Sequence, residues 1–511
     1  MKSINIYRVA WLLLLLIPVS CGRDWLEVKP RGTRLETNFY QTEEELFQGL
    51  VAVYDVLQWG GTNGWTMMLG LLNAASDDCF AGGSDASDQP SWVAWDQFTL
   101  TPTLGPQEGL WIRGFAGVYR ANLILQKIDE APADIPESSK NRFRAEAKFL
   151  RAWFYFDLVR LFGNVPLITK PLGGDEFFNQ TQAKPAEIYA QIEQDLRDAI
   201  NTFELPETVS PDELGRVTKG ATKALLGKVI LYQNDESRML EAADWFEQVI
   251  NSGLYHLMPN FADIWKESGE WGPESVFEIQ HSDNRPGDWG CCFATGPVNS
   301  STEGNYNVQF FGMRDYQGPI YAPGWSFCPV TPDLVDAMKN DPRFVHTIID
   351  GQALKDQGAT YTEGYQNTDY FIRKYAPLQE NQATDGVVAL EWNNNERAIR
   401  FADVLLMAAE AIVRGGGDEA KARQYLNQVR ARVGLQPVTS SGQDLLEAIY
   451  RERRLELATE GHRFFDLVRT GRAAEVLGPY GYVEGKHQWL PIPQREIDLA
   501  DPGTLVQNPG Y

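Results

Sequence analysis

Apolar side chains recur every three to four residues over most of this chain of 511 residues. In residues 43–59 they occupy positions 46, 47, 50, 53, 54 and 57, which form one continuous face when the chain is helical. The same period marks eight more segments, at residues 110–128, 143–162, 188–203, 221–232, 240–250, 401–413, 420–433 and 445–457. The sequence therefore predicts a mainly α fold.

Part of this helical pattern repeats at an offset of 180 residues, without a gap. The matching positions are Leu225 and Leu405, Leu226 and Leu406, Ala242 and Ala422, Gln248 and Gln428, and Val249 and Val429. Each copy has a helix, a polar turn and a second helix with small alanines. This is the layout of tetratricopeptide-type helix pairs, which bury their apolar faces by stacking on neighbours. Chance similarity between two amphipathic helix pairs is the alternative.

Two long stretches, residues 60–109 and 269–395, break the helical period. Both are rich in Gly, Pro, Asn, Asp and aromatic residues. Loops of this length are uncommon in compact domains, and ordered ones are usually functional. We therefore look for a binding site in these two stretches.

The charge balance excludes several classes of function. Asp and Glu number 69 against 46 Lys and Arg, so the net charge is −23, and no basic patch is segregated along the chain. Such a field repels phosphate backbones, and no nucleic-acid partner is expected. His residues number only five, and no zinc-type Cys or His spacing is present, so neither a metal nor a cofactor is expected. Gly-x-Ser-x-Gly, His-Glu-x-x-His and phosphate-loop motifs are also missing from the sequence.

The first 21 residues have the pattern of an export signal. Lys2 and Arg8 precede an apolar run at residues 9–19. That run is too short to cross a bilayer, because a transmembrane helix needs about 20 apolar residues. Ser20 and Cys21 then resemble the end of a bacterial lipobox, which implies that residues 1–20 are a lipoprotein signal peptide and that Cys21 is acylated. Residues 21–42 would form a lipidated tether.

Four cysteines follow Cys21, in a compartment that permits disulfides. They are Cys79, Cys291, Cys292 and Cys328. Adjacent cysteines bond each other only with strain, so we prefer a disulfide between Cys328 and one of the adjacent pair. The alternative is that all four are free thiols in the core.

The segment around a buried helix carries the first family resemblance. Residues 143–162 are apolar nearly all round, and Gly163 with Pro166 marks the end of the helix. The string from Val159 to Ile168 closely resembles a hallmark of SusD/RagB-like outer-membrane lipoproteins of Bacteroidetes. Further strings that resemble this family follow in its order at residues 400–411, 426–430, 451–458, 461–469, 490–498 and 507–511.

The resemblance implies one SusD-like unit with a tetratricopeptide-like helix-pair scaffold and a packed, irregular portion. Its parts are an N-terminal helical-repeat part at residues 43–268 with the aromatic loop 60–109, a loop-rich glycan-binding portion at 269–395, and C-terminal helix pairs with a closing segment at 396–511. The role implied is that of a non-catalytic lipoprotein, anchored in the outer membrane at the cell surface. Such a protein captures an oligosaccharide or polysaccharide and passes it to a SusC-like TonB-dependent transporter.

Aromatic and polar residues in the two loop stretches suit sugar binding, which needs flat rings for the C–H faces and polar groups for the hydroxyl rims. The candidate platforms are Trp289, Tyr321 and Trp325, then Trp65, Trp92 and Trp95, and the candidate polar contacts are Asn73, Asp77, Asp78 and Arg285. We expect two or three of the rings to be exposed. For any single ring, the alternative is that it packs beneath a long loop.

Two other functions stay open on the sequence alone. A surface glycoside hydrolase needs two carboxylates about 5 to 9.5 Å apart, and no motif singles out such a pair. A peptide-binding scaffold would use the groove of the helical repeat. The charged run at residues 451–454 also has the composition of a catalytic or anion-binding cluster. Alternating charges on an exposed helix face are, however, expected to be solvated ion pairs.

Overall fold

Every segment with a helical period forms a helix in the computed structural model, which describes residues 39–60, 65–283, 303–384 and 386–511. The helices and strands, in chain order, are α1 (Glu43–Asp55), α2 (Met68–Ala74), α3 (Pro90–Asp96), α4 (Gln107–Glu130), α5 (Glu137–Phe162), β1 (Val165–Pro166), β2 (Gln182–Ala183), α6 (Pro185–Asn201), α7 (Lys219–Tyr232), α8 (Met239–Ile250), β3 (Ser275–Ile279), α9 (Tyr306–Phe311), α10 (Pro332–Met338), α11 (Phe344–Thr347), β4 (Ile348–Asp350), α12 (Gly351–Asp356), β5 (Tyr370–Ile372), β6 (Glu396–Arg400), α13 (Phe401–Arg414), α14 (Glu419–Arg432), α15 (Gly442–Glu456), α16 (Arg463–Arg469), α17 (Ala473–Leu477) and α18 (Gln494–Leu499). Within these described ranges, no helix is long and apolar enough to cross a membrane.

Local sequence explains where the helices begin and end. α1 starts with a capping box, in which the Thr42 hydroxyl accepts from the Glu45 N–H and the Glu45 carboxylate accepts from the Thr42 N–H. α5 ends at Gly163, whose φ of +68° is a conformation that glycine adopts without steric cost. The Trp489 indole lies against this glycine, where a Cβ would be 2.7 Å from the ring.

The long helices stack side by side. α4 packs on α5, α5 on α6, α6 on α7 and α7 on α8. α8 then packs directly on α13, which packs on α14. The two copies of the internal repeat, α7–α8 and α13–α14, are therefore neighbours in space. This arrangement confirms the tetratricopeptide-like scaffold, because each helix pair buries its apolar face against the next.

α5 is buried on nearly all sides, as its composition predicts. Its contact with α4 is close because Gly117 has no side chain there: a Cβ at this position would lie 2.3 Å from the Phe154 ring. Asp157 is buried in the same helix and its carboxylate is 2.5 Å from the Arg160 guanidinium. The pair satisfies a charge that would otherwise be costly to bury.

Among the described residues, the strands form three small antiparallel sheets, β1–β2, β3–β6 and β4–β5. In β3–β6, Phe277 lies opposite Ile399. This sheet joins the beginning of the 269–395 stretch to its end, directly before α13. Most buried apolar residues from Leu46 to Ile492 form one large core, and a smaller, separate cluster includes Met313, Tyr321 and Phe371. The part boundaries inferred from the sequence stay predictions.

The two loop stretches pack against each other. Isolated antiparallel bridges pair Cys79 with Val330 and Gly82 with Phe327. Gly82 has a φ of +70°, and a Cβ there would lie 2.3 Å from the Ser326 carbonyl oxygen. Only glycine allows this approach, which brings residues separated by more than two hundred positions into one layer.

The cysteines of this layer correct the preferred disulfide. Cys328 is a free, buried thiol whose Sγ lies 3.4 Å from the Gly70 carbonyl oxygen, and Cys79 is also free and buried. Burial raises the pKa of both thiols, so they are small core residues, as the alternative expected. Cys291 and Cys292 lie outside the described residues.

A buried network of ion pairs connects the C-terminal helices to the loop stretches. Glu456 in α15 is fully buried and lies 2.5 Å from Arg432, 3.0 Å from Arg400 and 2.9 Å from Arg343. Arg400 also contacts Glu460 at 2.8 Å. The network therefore joins α14, α15, β6 and the segment before α11.

This network corrects the prediction for residues 451–454. Arg451 is exposed, but Glu452 and Arg453 are each only 1% exposed. Arg453 pairs with Asp403 at 2.6 Å, and Glu452 pairs with Arg343 at 2.7 Å. α15 packs on α13, so the face that carries these charges is turned into the interior and its ion pairs are not solvated.

Candidate functional site

Four of the predicted sugar platforms are buried. Trp92, Trp95 and Tyr321 are at most 1% exposed, and Trp65 is 7% exposed. The Trp92 ring stacks on Phe310 at 5.3 Å between ring centroids, and its Nε1 donates to the Trp65 carbonyl oxygen at 2.9 Å. These four rings therefore pack beneath the loops, as the alternative for any single ring expected, because the two loop stretches bury their aromatic faces against each other.

The predicted polar contacts in the first loop stretch are also buried. The Asn73 side chain donates to the Thr459 carbonyl oxygen at 2.9 Å and accepts from the Gly461 N–H at 2.9 Å. Asp77 binds Arg463 at 2.7 Å, and Asp78 binds Arg454 at 3.2 Å. These side chains join α2 to the C-terminal part, and none of them is available to a ligand in this structure.

The two aspartates respond differently to this environment. Burial by itself would raise the pKa of Asp77, but the Arg463 and Arg454 guanidinium groups outweigh burial and lower it. Burial dominates for Asp78, whose pKa is raised although Arg454 is near. Both shifts have a structural cause within an ion-pair cluster, so they do not mark a catalytic pair.

Trp325 is the described platform candidate that keeps partial exposure. Its ring lies at the edge of the buried aromatic layer, 5.7 Å from Trp65 and 5.1 Å from Phe310 between centroids. The backbone N–H of Trp325 donates to the Gln309 carbonyl oxygen at 2.9 Å, which fixes the backbone at this position. Trp289 and Arg285 lie outside the described residues, as does Cys21, and their assignments stay predictions.

Polar side chains from both loop stretches meet beside Trp325. The Arg314 guanidinium donates to the Trp325 carbonyl oxygen at 3.0 Å and contacts the Asp88 carboxylate at 3.3 Å. The Ser84 hydroxyl donates to the same carboxylate at 2.8 Å. Ser84 is exposed, and Arg314 and Asp88 are partly exposed, so hydrogen-bonding groups surround the ring.

A second side of this surface comes from residues 364–366. The Tyr365 N–H donates to the Gly83 carbonyl oxygen at 2.8 Å, and the Gln97 side chain donates to the Tyr365 hydroxyl at 3.2 Å. We name the whole region the Trp325 surface, and its side chains are Ser84, Asp88, Gln97, Arg314, Trp325 and Tyr365. Of these, sequence reasoning found only Trp325. The Gly82-Gly83 pair was the available signal, because it marks a close backbone approach.

Backbone strain is concentrated in the same two loop stretches. Of the eleven described non-glycine residues with a positive φ, eight lie there: Trp65, Phe98, Trp271, Asp315, Ser326, Cys328, Gln366 and Asp369. Ser326, with a φ of 59°, directly follows Trp325. Such conformations persist only where the surrounding structure enforces them, and they cluster at ligand sites. The Trp325 surface is therefore a rigid, preformed one.

Chemically, the described side chains of the Trp325 surface suit ligand binding. It offers an aromatic face, a guanidinium group, hydroxyls, an amide and a carboxylate that is already paired. Within the described ranges, no group of three or more His, Cys, Asp or Glu side chains could hold a metal ion. The arrangement matches what a neutral, hydroxyl-rich ligand requires.

Comparison with known proteins agrees with this fold. A model of the SusD family matches residues 273–511, and a model described as "Starch-binding associating with outer membrane" matches residues 24–231. A solved laminarin-binding SusD-like protein is 42% identical to the chain, and the match covers 92% of this chain and 100% of that one with a TM-score of 0.84. The chain belongs to the SusD family. The SusD/RagB resemblance of its sequence motifs is thereby confirmed.

Two further relatives of this SusD-family protein are informative. Surface glycan-binding protein A from Bacteroides thetaiotaomicron, solved in complex with laminarihexaose, is 33% identical; the match covers 92% of this chain and 100% of that chain, with a TM-score of 0.82. SusD-like protein P38 from Formosa agariphila is 27% identical over the full length of both chains.

Proposed function

We propose that this SusD-family protein binds laminarin-type glucan chains at the cell surface and passes them to a SusC-like TonB-dependent transporter. The observation that carries this proposal is the 42% identity to a laminarin-binding protein over 92% of the chain. The lipobox-like end of the signal, at Cys21, supports a lipid anchor in the outer membrane. The family model for residues 24–231 describes proteins that associate with that membrane.

The charge of the protein supports a neutral glycan. With a net charge of −23, the molecule repels polyanions, and sulfated or uronic-acid polysaccharides would need a local basic surface to overcome this field. Arg314 is the cationic side chain of the Trp325 surface, and it already contacts Asp88. A neutral glucan places no such demand on the site.

Trp325 is the proposed stacking platform for a glucose ring. Its partly exposed face offers a surface for sugar C–H groups, and Ser84, Asp88 and Arg314 offer partners for the hydroxyls around the ring. Trp289 and Arg285 stay proposed contacts of the same ligand.

The binding proposal is tested by calorimetric titration of the purified protein with laminarihexaose and maltohexaose, which differ in linkage. We expect binding of laminarihexaose and at least ten-fold weaker binding of maltohexaose. Binding of neither oligosaccharide would contradict the proposal. A preference for maltohexaose would replace laminarin with starch as the ligand class. Titration with peptides addresses the peptide-binding alternative, which would be favoured by tight peptide binding without glycan binding.

Catalysis is tested separately. Laminarin incubated with the protein should release no oligosaccharide, because the described side chains of the Trp325 surface include no free acid and base pair. Appearance of products over time would support the glycoside hydrolase alternative instead.

The anchor is tested by Cys21→Ala. The signal-like run ends at Cys21, so the variant should fold, bind glycan as the wild type does, and leave the outer-membrane fraction. Retention of the variant in that fraction would contradict acylation at Cys21. Co-purification of the wild type with a TonB-dependent transporter from detergent-solubilised outer membranes tests the partner.

A further inference from the structure

A second, strongly apolar groove lies on the scaffold and is built by different elements from those of the Trp325 surface. Trp111, Phe115 and Tyr119 of α4 form its floor, and residues 166–180 and 496–505 form its walls. Its volume is about 470 Å³, which accommodates two or three large side chains. Two aromatic side chains at its edge, Phe177 and Phe178, are 55% and 45% exposed, and Leu499 is 54% exposed. We name it the α4 groove.

So much adjacent apolar surface indicates a binding partner, since monomeric proteins rarely expose contiguous apolar patches beyond a few hundred Å². The polar groups in and around the groove are already engaged. The Asn122 amide donates to the Ile168 carbonyl oxygen at 2.9 Å, Lys170 pairs with Glu176 at 3.1 Å, and Gln180 donates to the Glu176 carbonyl oxygen at 2.8 Å. Sugar hydroxyls would find few free partners, so the groove suits apolar side chains of a polypeptide.

The described part of the chain begins beside α4, the helix that forms the floor of the groove. Tyr40 packs where α1 meets α4: a Cβ at Gly49 would lie 2.6 Å from the Tyr40 ring and 2.9 Å from Ile124. Ile124 is five residues beyond Tyr119 on α4, a rise of about 7.5 Å and a rotation of about 140° around the helix. The chain before residue 39 therefore starts on the side of α4 that faces α1, and it passes around this helix to reach the groove.

Residues 22–38 have the composition and the length to reach and fill the groove. Trp25, Leu26 and Val28 are three apolar residues within four positions, and the sequence that follows, from Lys29 to Asn38, is mostly polar. From Val28 to residue 39 an extended chain covers up to about 36 Å, about three times the diameter of a helix, so it is long enough to pass around α4 to the groove. Lys29 is also complementary in charge to Glu496 at the groove.

We propose that residues 24–30, which lie outside the described residues, dock in the α4 groove through Trp25, Leu26 and Val28. Extended chain places alternate side chains on opposite faces, so Leu26 and Val28 enter the groove together and Trp25 lies on its edge beside Phe177 and Phe178. The segment is thereby an internal ligand of the scaffold and not a free tether.

Docking has a consequence for orientation, which rests on the proposed acylation of Cys21. Only two residues separate Cys21 from Asp24, and three peptide steps span at most about 11 Å. The docked segment would therefore hold the α4 face against the membrane. A free tether of 18 residues would allow an end-to-end distance of about 23 Å and no fixed orientation.

Hydrogen exchange on the mature chain tests the docking, with Cys21→Ser to keep it in solution. We expect the amides of residues 25–28 to exchange at least ten-fold more slowly than in an unstructured peptide. Trp25→Ala in the segment and Leu499→Asp in the groove should each remove this protection. The matched controls are Leu35→Ala, elsewhere in the tether, and Val345→Asp, at an exposed valine of α11 that does not line the groove; both should retain it.

A peptide in trans gives a second measurement. A synthetic peptide of residues 22–32 should bind the variant in which Trp25, Leu26 and Val28 are all Ala, and binding should fall at least ten-fold when Leu499→Asp is added. Thermal melts verify that each variant is folded. Unprotected amides together with no peptide binding would overturn the proposal, and dimerisation abolished by Leu499→Asp would assign the groove to a second copy instead. Laminarihexaose affinity should be unchanged throughout, so failure here is distinguishable from failure of the proposed function.

Discussion

At the scale of single residues, tryptophans of the two loop stretches differ in role according to the residues that they pack against. Trp92 is 0% exposed and its ring is stacked and hydrogen-bonded within the packed loops. Trp325 lies at the edge of the same layer and keeps part of its face exposed. Composition places both rings in loops but does not determine which one faces solvent, because that depends on partners more than two hundred residues away.

Trp325→Ala should weaken laminarihexaose binding by about 1 to 3 kcal/mol, because it removes a stacking face. Its effect on the melting temperature should be small. Trp92→Ala should cost about 3 to 5 kcal/mol of unfolding free energy, since it empties a packed site. Titration and thermal melts on both variants test this, with Trp245→Ala on α8 as a partly exposed control ring. A destabilised Trp325→Ala with wild-type affinity would show that Trp325 anchors a loop.

Asp96 supplies a prediction about pH. It is buried at the end of α3; burial raises its pKa to about 6, although hydrogen bonds from the Ala81 N–H and Gln366 partly oppose this shift. Between about pH 4, where Asp96 of the unfolded chain ionises, and about pH 6, the folded protein keeps this carboxyl protonated. The folded protein therefore loses stability relative to the unfolded chain as pH rises from about 4 through about 6, where the buried carboxyl has to ionise. Asp96→Asn keeps no such proton and should gain about 2 to 3 kcal/mol relative to wild type between about pH 4 and pH 7.

Denaturant unfolding of wild type and Asp96→Asn at several pH values measures this difference. Asp336→Asn, at an exposed side chain on α10, is the control and should follow the wild-type curve. Parallel curves for wild type and Asp96→Asn would contradict a buried, protonated Asp96.

At the scale of elements, sequence periodicity gave the helices correctly because it reports local geometry. All nine predicted segments form helices, and the end of α5 at Gly163 is as the sequence indicates. Short elements such as α2, α3 and the three sheets carry no period of their own, and the bridges at residues 79–82 and 327–330 depend on pairing across the chain. The same reason explains the charges of α15, whose pattern does not reveal which face packs on α13.

Gly117 provides a prediction for helix packing. In an isolated helix, Gly→Ala gains about 1 kcal/mol of propensity. Here the new Cβ would lie 2.3 Å from the Phe154 ring, between α4 and α5, and overpacking of this kind costs about 1 to 3 kcal/mol. Gly117→Ala should therefore destabilise the protein on balance. Gly173→Ala, where no atom lies within 4 Å of the new Cβ, is the control, and equal melting temperatures for the two variants would contradict the close contact.

At the scale of the whole molecule, the ion-pair network around Glu456 connects regions that are remote in the sequence. Burial by itself would raise the pKa of Glu456, but Arg432, Arg400 and Arg343 outweigh burial and lower it. This carboxylate therefore stabilises the fold above its unfolded pKa of about 4.3, and the contribution is lost as pH falls toward the lowered folded value.

Glu456→Gln should cost about 3 to 5 kcal/mol, because it leaves buried guanidinium groups without their counter-charge. Asp336→Asn, which breaks the exposed Lys339 pair, should cost less than about 1 kcal/mol. Chemical denaturation at neutral pH measures both. In acid, the Glu456→Gln variant should approach the wild type in stability, and a constant gap down to the acid transition would contradict this account.

The pairing of residues 79–82 with residues 327–330 has a consequence for folding order. Closing a loop of about 250 residues costs little more entropy than closing a much shorter one, since the cost grows only with the logarithm of length. Its effect on rate is larger, because contacts between distant residues form late. Helices α1 to α8 need only the first 250 residues, whereas the Trp325 surface needs the chain up to Tyr365, out of 511 residues. A chain truncated before Tyr365 would therefore have the N-terminal helices α1 to α8 but an incomplete Trp325 surface, and glycan binding at that surface would require most of the chain.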